Sequence, residues 1–137
     1  MTITTAICNS FKQEILEGVH ASTDTYKIAL YTDAATLDAS TTAYSATNEV
    51  SGTGYTAGGA TLSGYTSGLS SNTAYITFSD PSWANSTITA RGCLIYNSSK
   101  SNKALAAFDF GSNVVSVSGT FTIDLPAAGA SALIRIS

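Results

Sequence analysis

Charged side chains are scarce in this sequence: Asp, Glu, Lys and Arg together make up 11% of its 137 residues, where about a quarter is usual. Its six basic residues (Lys12, Lys27, Arg91, Lys100, Lys103 and Arg135) are scattered, and the net charge is −3. No basic patch is therefore expected, and nucleic acid is excluded as a partner. Histidine occurs once, at His20. One imidazole, without an Asp-x-Asp loop, argues against both transition-metal and EF-hand calcium sites, and no cofactor is expected. Long apolar runs are missing too. No window approaches the ~18 uninterrupted apolar residues of a membrane span, so no membrane association is expected. The opening Met1-Thr2-Ile3-Thr4-Thr5 has neither the basic head nor the apolar core of a secretory signal. Cys8 and Cys93 match no metal or redox spacing. They read as buried free thiols of a protein made in a reducing cytoplasm, in preference to a disulfide. Asn85-Ser86-Thr87 and Asn97-Ser98-Ser99 match glycosylation sequons but, without a signal, read as turn residues.

What is present is a set of apolar and β-forming residues large enough for one domain with its own core. Thr, Ser, Ala and Gly fill the polar positions. Such a surface suits dense protein–protein contact, because burying a Thr costs far less than burying a Lys. One helix is expected, over about 5–18: Ile7, Phe11 and Ile15 recur at four-residue spacing, with Leu16 and Val19 widening the stripe. Thr4 or Thr5 can cap its start, and Gly18 ends it. The period then becomes two. Tyr26, Ile28 and Leu30 share a face, as do Ala74, Ile76 and Phe78. Ile88, Ala90, Leu94 and Tyr96 form another set, and strands are expected over Ala104 to Phe110, across Val115, Val117, Phe121, Ile123 and Leu125, and from Leu133 to the end. Turns are expected at Asp80-Pro81-Ser82, Asn97-Ser98-Ser99, Gly111-Ser112-Asn113 and Pro126 to Gly129. The fold class is mainly β: an antiparallel β-sandwich or jelly-roll-like barrel with one short N-terminal helix. Residues 32–72 stand apart as a long Gly-rich excursion, with a short hairpin near Ala60 to Tyr65, expected to lie against a neighbouring subunit.

Catalytic chemistry finds little support. His20 follows the helix C-terminus, where a capping or dipole-stabilised surface role is the default. Asp80 and Asp124 sit at or near turns with nothing to pair them, and Asp109, between Phe108 and Phe110, reads as solvent-side or as an ion-pair partner of Arg91 or Arg135. The Gly52-x-Gly54 stretch lacks the Lys-Ser/Thr of a phosphate loop, so its glycines read as sites of positive φ and close backbone approach. No catalytic residue and no metal ligand is assigned. The candidate contact residues are Phe11 and Ile15 on the helix and Tyr44, Tyr55, Tyr65 and Trp83 in or beside loops, where amphipathic rings often anchor interfaces. For Trp83, packing onto its own subunit is the competing reading.

Three stretches carry a resemblance: Thr25-Tyr26-Lys27-Ile28-Ala29-Leu30-Tyr31-Thr32, Glu49-Val50-Ser51-Gly52-Thr53-Gly54-Tyr55, and Asp80-Pro81-Ser82-Trp83 through Thr89-Ala90-Arg91-Gly92-Cys93-Leu94-Ile95-Tyr96-Asn97, with Phe108-Asp109-Phe110-Gly111 after them. Together they resemble small β-rich structural proteins of tailed-bacteriophage virions, of the decoration or cement kind. The resemblance implies a non-enzymatic capsid decoration protein on the capsid exterior. Its partners would be the major capsid protein and copies of itself, a trimer being the first guess. The alternative is a tail, adaptor or fibre component involved in host recognition, and a remote alternative is a small hydrolase using Asp80, Asp109 or Asp124. No family site residue transfers.

Overall fold

Period-two alternation becomes strand over nearly half the chain. The computed structural model describes residues 2–136, with 47% strand against 6% helix. Strand β1 (Ala6–Ile7) precedes helix α1 (Asn9–Leu16); then come β2 (Tyr26–Tyr31), β3 (Ala60–Thr61), β4 (Thr66–Ser70), β5 (Thr73–Thr77), β6 (Ser82–Asn97), β7 (Lys103–Thr122) and β8 (Ile134–Ile136). They form two antiparallel sheets, a five-stranded one in the order β1-β7-β6-β2-β3 and a three-stranded one in the order β4-β5-β8. The sheets do not close, so the architecture is consistent with the sandwich and not with the barrel. Tyr26 on β2, Tyr65 before β4 and Phe78 after β5 join the two sheets, with ring centroids 5.5–5.7 Å apart. Ile28, Leu30, Leu94, Ile95 and Leu105 are fully buried at the centre.

The helix is shorter than the 5–18 expected. Thr4 and Thr5 do not cap it: the Thr4 N–H donates to the Leu37 carbonyl (2.8 Å), and Ala6 and Ile7 pair with Ala107 and Ala106 of β7. β-branched residues at the edge of a long strand extend the sheet instead of starting a helix. Cys8 is the N-cap and makes no side-chain cap bond. Gly18 does end the helix, at φ 72°. Its N–H donates to Ile15 O (3.1 Å) and that of Val19 to Glu14 O (3.0 Å), the Schellman pattern. Phe11 is the buried helical residue, whereas Leu16, expected on the packing stripe, is 88% exposed.

Two expected turns lie inside strands. Between the pairs Gly92↔Asp109 and Ala90↔Val114, β7 advances from 109 to 114 while β6 moves only from 92 to 90. The extra residues include Gly111-Ser112-Asn113, which therefore form a bulge in β7 and not a chain reversal. Asn85-Ser86-Thr87 is likewise an irregularity within β6, with Asn85 at φ 50°. The true hairpin turn of this ribbon follows Asn97, as expected. The closing strand is also as expected over Ile134–Ile136; Ser137 lies outside the described residues.

Residues 32–72 are fastened to their own chain at several points. Ala35, Leu37, Val50 and Leu62 are buried in the core. Leu37 bridges Ile3, Glu49 bridges Tyr31 and Thr53 bridges Thr87. The hairpin of this region is Thr66–Ser70 with Thr73–Thr77, later than the one expected near Ala60 to Tyr65, while Ala60–Thr61 pairs with β2. Gly59, at φ 80°, passes so close to β2 that a Cβ there would collide with the Ile28 carbonyl. Gly54, at φ 83°, lies similarly against Ser86.

Candidate functional site

The six candidate contact residues separate into two groups. Tyr44, Tyr55 and Trp83 belong to a cluster built round Glu49. Its carboxylate accepts from Tyr44 Oη (2.6 Å), Tyr55 Oη (2.6 Å) and the Gly58 N–H (2.8 Å). The Tyr55 hydroxyl accepts the Leu30 N–H (2.9 Å), Tyr96 Oη donates to Gly58 O (2.6 Å), and Tyr44 stacks on Tyr96 at 4.8 Å. Burial, with the Glu49 hydrogen bond and charge second, pushes the Tyr44 and Tyr55 phenols up, so both stay protonated donors. Trp83 is buried against Tyr55 and Phe121. Packing on its own subunit is the reading that holds for Trp83, and these aromatics tie the Gly-rich excursion to β2 and β6.

Phe11, Ile15 and Tyr65 are brought together in the other group. They line an apolar groove of about 420 Å³ between α1 and the small sheet, with His20, Leu69 and Ile136 also on its walls. Phe11 itself is buried beneath the helix, against the His20 ring at 5.0 Å, so it shapes the groove without being presented. Leu69, 74% exposed, and half-exposed Ile136 are the apolar side chains displayed here. A second apolar display was not singled out by the candidate set: Val114, Val115 and Val117 of β7, the last two 58% and 73% exposed. Val115 and Val117, with Thr87 and Thr89, line a shallow depression of about 300 Å³.

The groups that could carry chemistry are engaged in holding the fold. The His20 side chain is only 5% exposed, not at the surface as expected: Nε2 lies 2.9 Å from Glu14 Oε1, and Nδ1 lies 2.9 Å from the Asn97 amide. Asn97 Oδ1 accepts the Ser99 N–H and its Nδ2 donates to Asp24 (2.8 Å). That fixes the amide orientation, making His20 Nδ1 the acceptor and Nε2–H the donor to Glu14. Asp24 also accepts from the Ala21 N–H and pairs with Lys100 Nζ (3.0 Å). The Asn97 hydrogen bond first, and the Ala21 N–H next, hold its carboxyl down at about 2. Asp109 pairs with Arg91 Nε at 2.8 Å, one of the two readings open for it. Asp80 accepts the Leu125 N–H (2.8 Å), and it lines an open cleft whose walls also include Asp124. Asp109 is not part of that cleft. Cys8 and Cys93 are free and buried, their thiols pushed up by burial to about 11 and about 12, which leaves them unreactive. Among the described residues no group of three or more His, Cys, Asp and Glu could hold a metal ion, and no helix is long and apolar enough to cross a membrane. No family model, curated protein or solved structure matches the chain.

Proposed function

We propose that this protein is a structural component of a bacteriophage virion, a non-enzymatic decoration protein that sits on the capsid exterior and cements the major capsid protein lattice. The observation that carries the reading is where the exposed large apolar residues lie: Val114, Val115 and Val117 on β7, with Leu69, Leu16 and Ile136 round the helix groove. Large apolar side chains gathered in patches on a weakly charged surface serve adhesion to other proteins. The motif resemblance supplies the setting. Its three stretches pack against one another through Leu30, Glu49, Tyr55 and Trp83, which supports reading them as one folding unit rather than a reaction centre. Cementing works by area and multiplicity: modest contacts per copy, repeated over a lattice, add up to a shell that resists internal pressure.

The test compares purified particles with and without the protein for survival of heat and osmotic shock. Particles lacking it are expected to lose infectivity at lower temperature. Equal survival overturns the cementing role, and a particle reconstruction that places the chain on the tail, leaving the capsid bare, moves the protein to the adaptor or fibre class.

A further inference from the structure

Strand β7 has one side without a partner over much of its length. Along one edge it pairs with β6 from end to end. Along the other it meets β1 only at Ala106 and Ala107, and the Asp109 N–H donates to Thr5 Oγ1 (2.9 Å). Beyond the bulge at Gly111, no described strand covers that edge. Exposed edges are ordinarily blunted by lysine, by proline, by inward-pointing charge or by being short. From Phe110 to Ile123 there is no charged residue and no proline. Bulges are the one such device in use, and they bracket a regular run: Gly111 lies on one side, and Ser118, at φ 46°, on the other. Between them Val114–Ser116 pair in register with Ile88–Ala90, and Val114, Val115 and Val117 are three of the chain's exposed large apolar side chains.

We propose that this edge of β7 is a self-association site, where a second copy of the chain lays its own β7 antiparallel about a twofold axis at Val115. A twofold contact sets each patch against itself. About that axis Val115 meets Val115, Val114 meets Ser116 and Asn113 meets Val117, so no like-charge pair arises. A partner recognised through charge would find nothing here to pair with, whereas an identical strand supplies matching backbone donors and acceptors and matching β-branched side chains. The depression formed by Thr87, Thr89, Val115 and Val117 then continues across the axis on one face of the joined sheets. The other open edges suit this less well. The free side of β4, Thr66–Ser70, has Gly68 at its centre, and β8, Ile134–Ile136, carries the charged Arg135 at its centre. An edge contact this short buries less than the ~1,200 Å² of a standard interface. The dimer is accordingly weak in solution, with a Kd on the order of micromolar to millimolar. The site is read from the chain's own edge and needs no virion, so its failure would show in solution while failure of the cementing role would show on particles.

Sedimentation equilibrium of the purified chain from roughly 10 μM to 1 mM spans that range. The expected result is a monomer–dimer equilibrium, weakened about tenfold or more by Val115→Lys, which sets two ammonium groups face to face. Val115→Cys should form a disulfide-linked dimer under mild oxidation, because opposed Cβ atoms of an antiparallel pair approach to about 4.5–5.5 Å, and Leu69→Cys should not. Cys8 and Cys93 are buried and do not compete. A monomer throughout, a trimer, association unchanged by Val115→Lys, or cross-linking through Leu69→Cys but not Val115→Cys each overturns the proposal.

Discussion

The β6–β7 ribbon is one antiparallel ladder with two unlike halves. In the inner half, Gly92–Asn97 pairs with Lys103–Asp109. It is flanked by β2 on one side and β1 on the other, and Leu94, Ile95, Leu105, Ala106 and Ala107 are wholly buried. In the outer half, Ser82–Ala90 pairs with Val114–Thr122. There Trp83, Ile88 and Phe121 are buried while Val115 and Val117 face outward. Cross-strand pairing runs through both, so what differs is burial. The inner half is buried on both faces like a central strand pair, and the outer half packs one face only. Ser86 pins the outer half at its bulge: its buried Oγ lies 2.8 Å from Ser116 Oγ and donates to Gly119 O at 3.1 Å. A single ribbon can thus anchor the domain at one end and present an uncharged edge at the other.

Truncation in the inner half should have the largest effect. Leu94→Ala removes a side chain with no exposure from a site with little room to collapse, and is expected to cost about 2–5 kcal/mol. That is a large share of the roughly 5–15 kcal/mol that holds a typical domain together. Urea unfolding measures it. A loss under about 1 kcal/mol would mean the inner half is not the core it resembles and would erase the contrast between the halves.

The inner half was legible in the sequence because its strands are short apolar runs, Cys93-Leu94-Ile95-Tyr96 and Ala104-Leu105-Ala106-Ala107, and its turn, Asn97-Ser98-Ser99, sits at the hairpin. The outer half was legible only in part. Val115, Val117, Phe121, Ile123 and Leu125 share one parity, which read as one face. The irregularity at Ser118 shifts the register, so the valines turn outward while Phe121 and Leu125 stay buried. Gly111-Ser112-Asn113 gave a true signal of irregular backbone, but the same residues suit a bulge and a turn. Residues 32–72 show no periodicity because their order comes from tertiary hydrogen bonds, those of Glu49 to Tyr44 and Tyr55 above all. His20 read as a surface cap for the same reason: its partner Asn97 lies 77 residues away. The groove was half visible, since Phe11 and Ile15 marked one wall and only the fold brings Tyr65 and Leu69 opposite.

Acid should loosen the inner half through its hairpin turn. Asp24 grips Asn97 and Lys100 there, and its carboxyl is held at about 2, below its ordinary 3.8. A depressed carboxyl contributes stability that is fully present above about pH 4 and is lost as the pH falls through about 2. Asp38 and Asp109 are lowered as well, so the whole protein weakens in acid, and the informative quantity is the gap to Asp24→Asn. That variant should be the less stable at pH 7, by less than Leu94→Ala, with the gap closing between about pH 4 and pH 2. Urea midpoints across that window measure it, and a gap constant with pH would detach Asp24 from the hairpin.

The smallest change is expected where the ribbon is most exposed. Val117 is 73% exposed, its neighbours Ser116 and Ser118 are uncharged, and its side chain packs into no core. Val117→Lys should therefore alter monomer stability by no more than about 0.5 kcal/mol, even though it puts a charge in the middle of a long strand. The lysine stem can lie along Thr87 and Thr89 while the ammonium stays in water. The same substitution sharpens the contrast when read by association, because an ammonium beside the twofold axis is one of the devices that close an open edge. A variant with unchanged unfolding and weakened self-association separates presentation from folding within one strand. A large loss of stability would instead place Val117 in a packed environment and make the two halves of the ribbon alike.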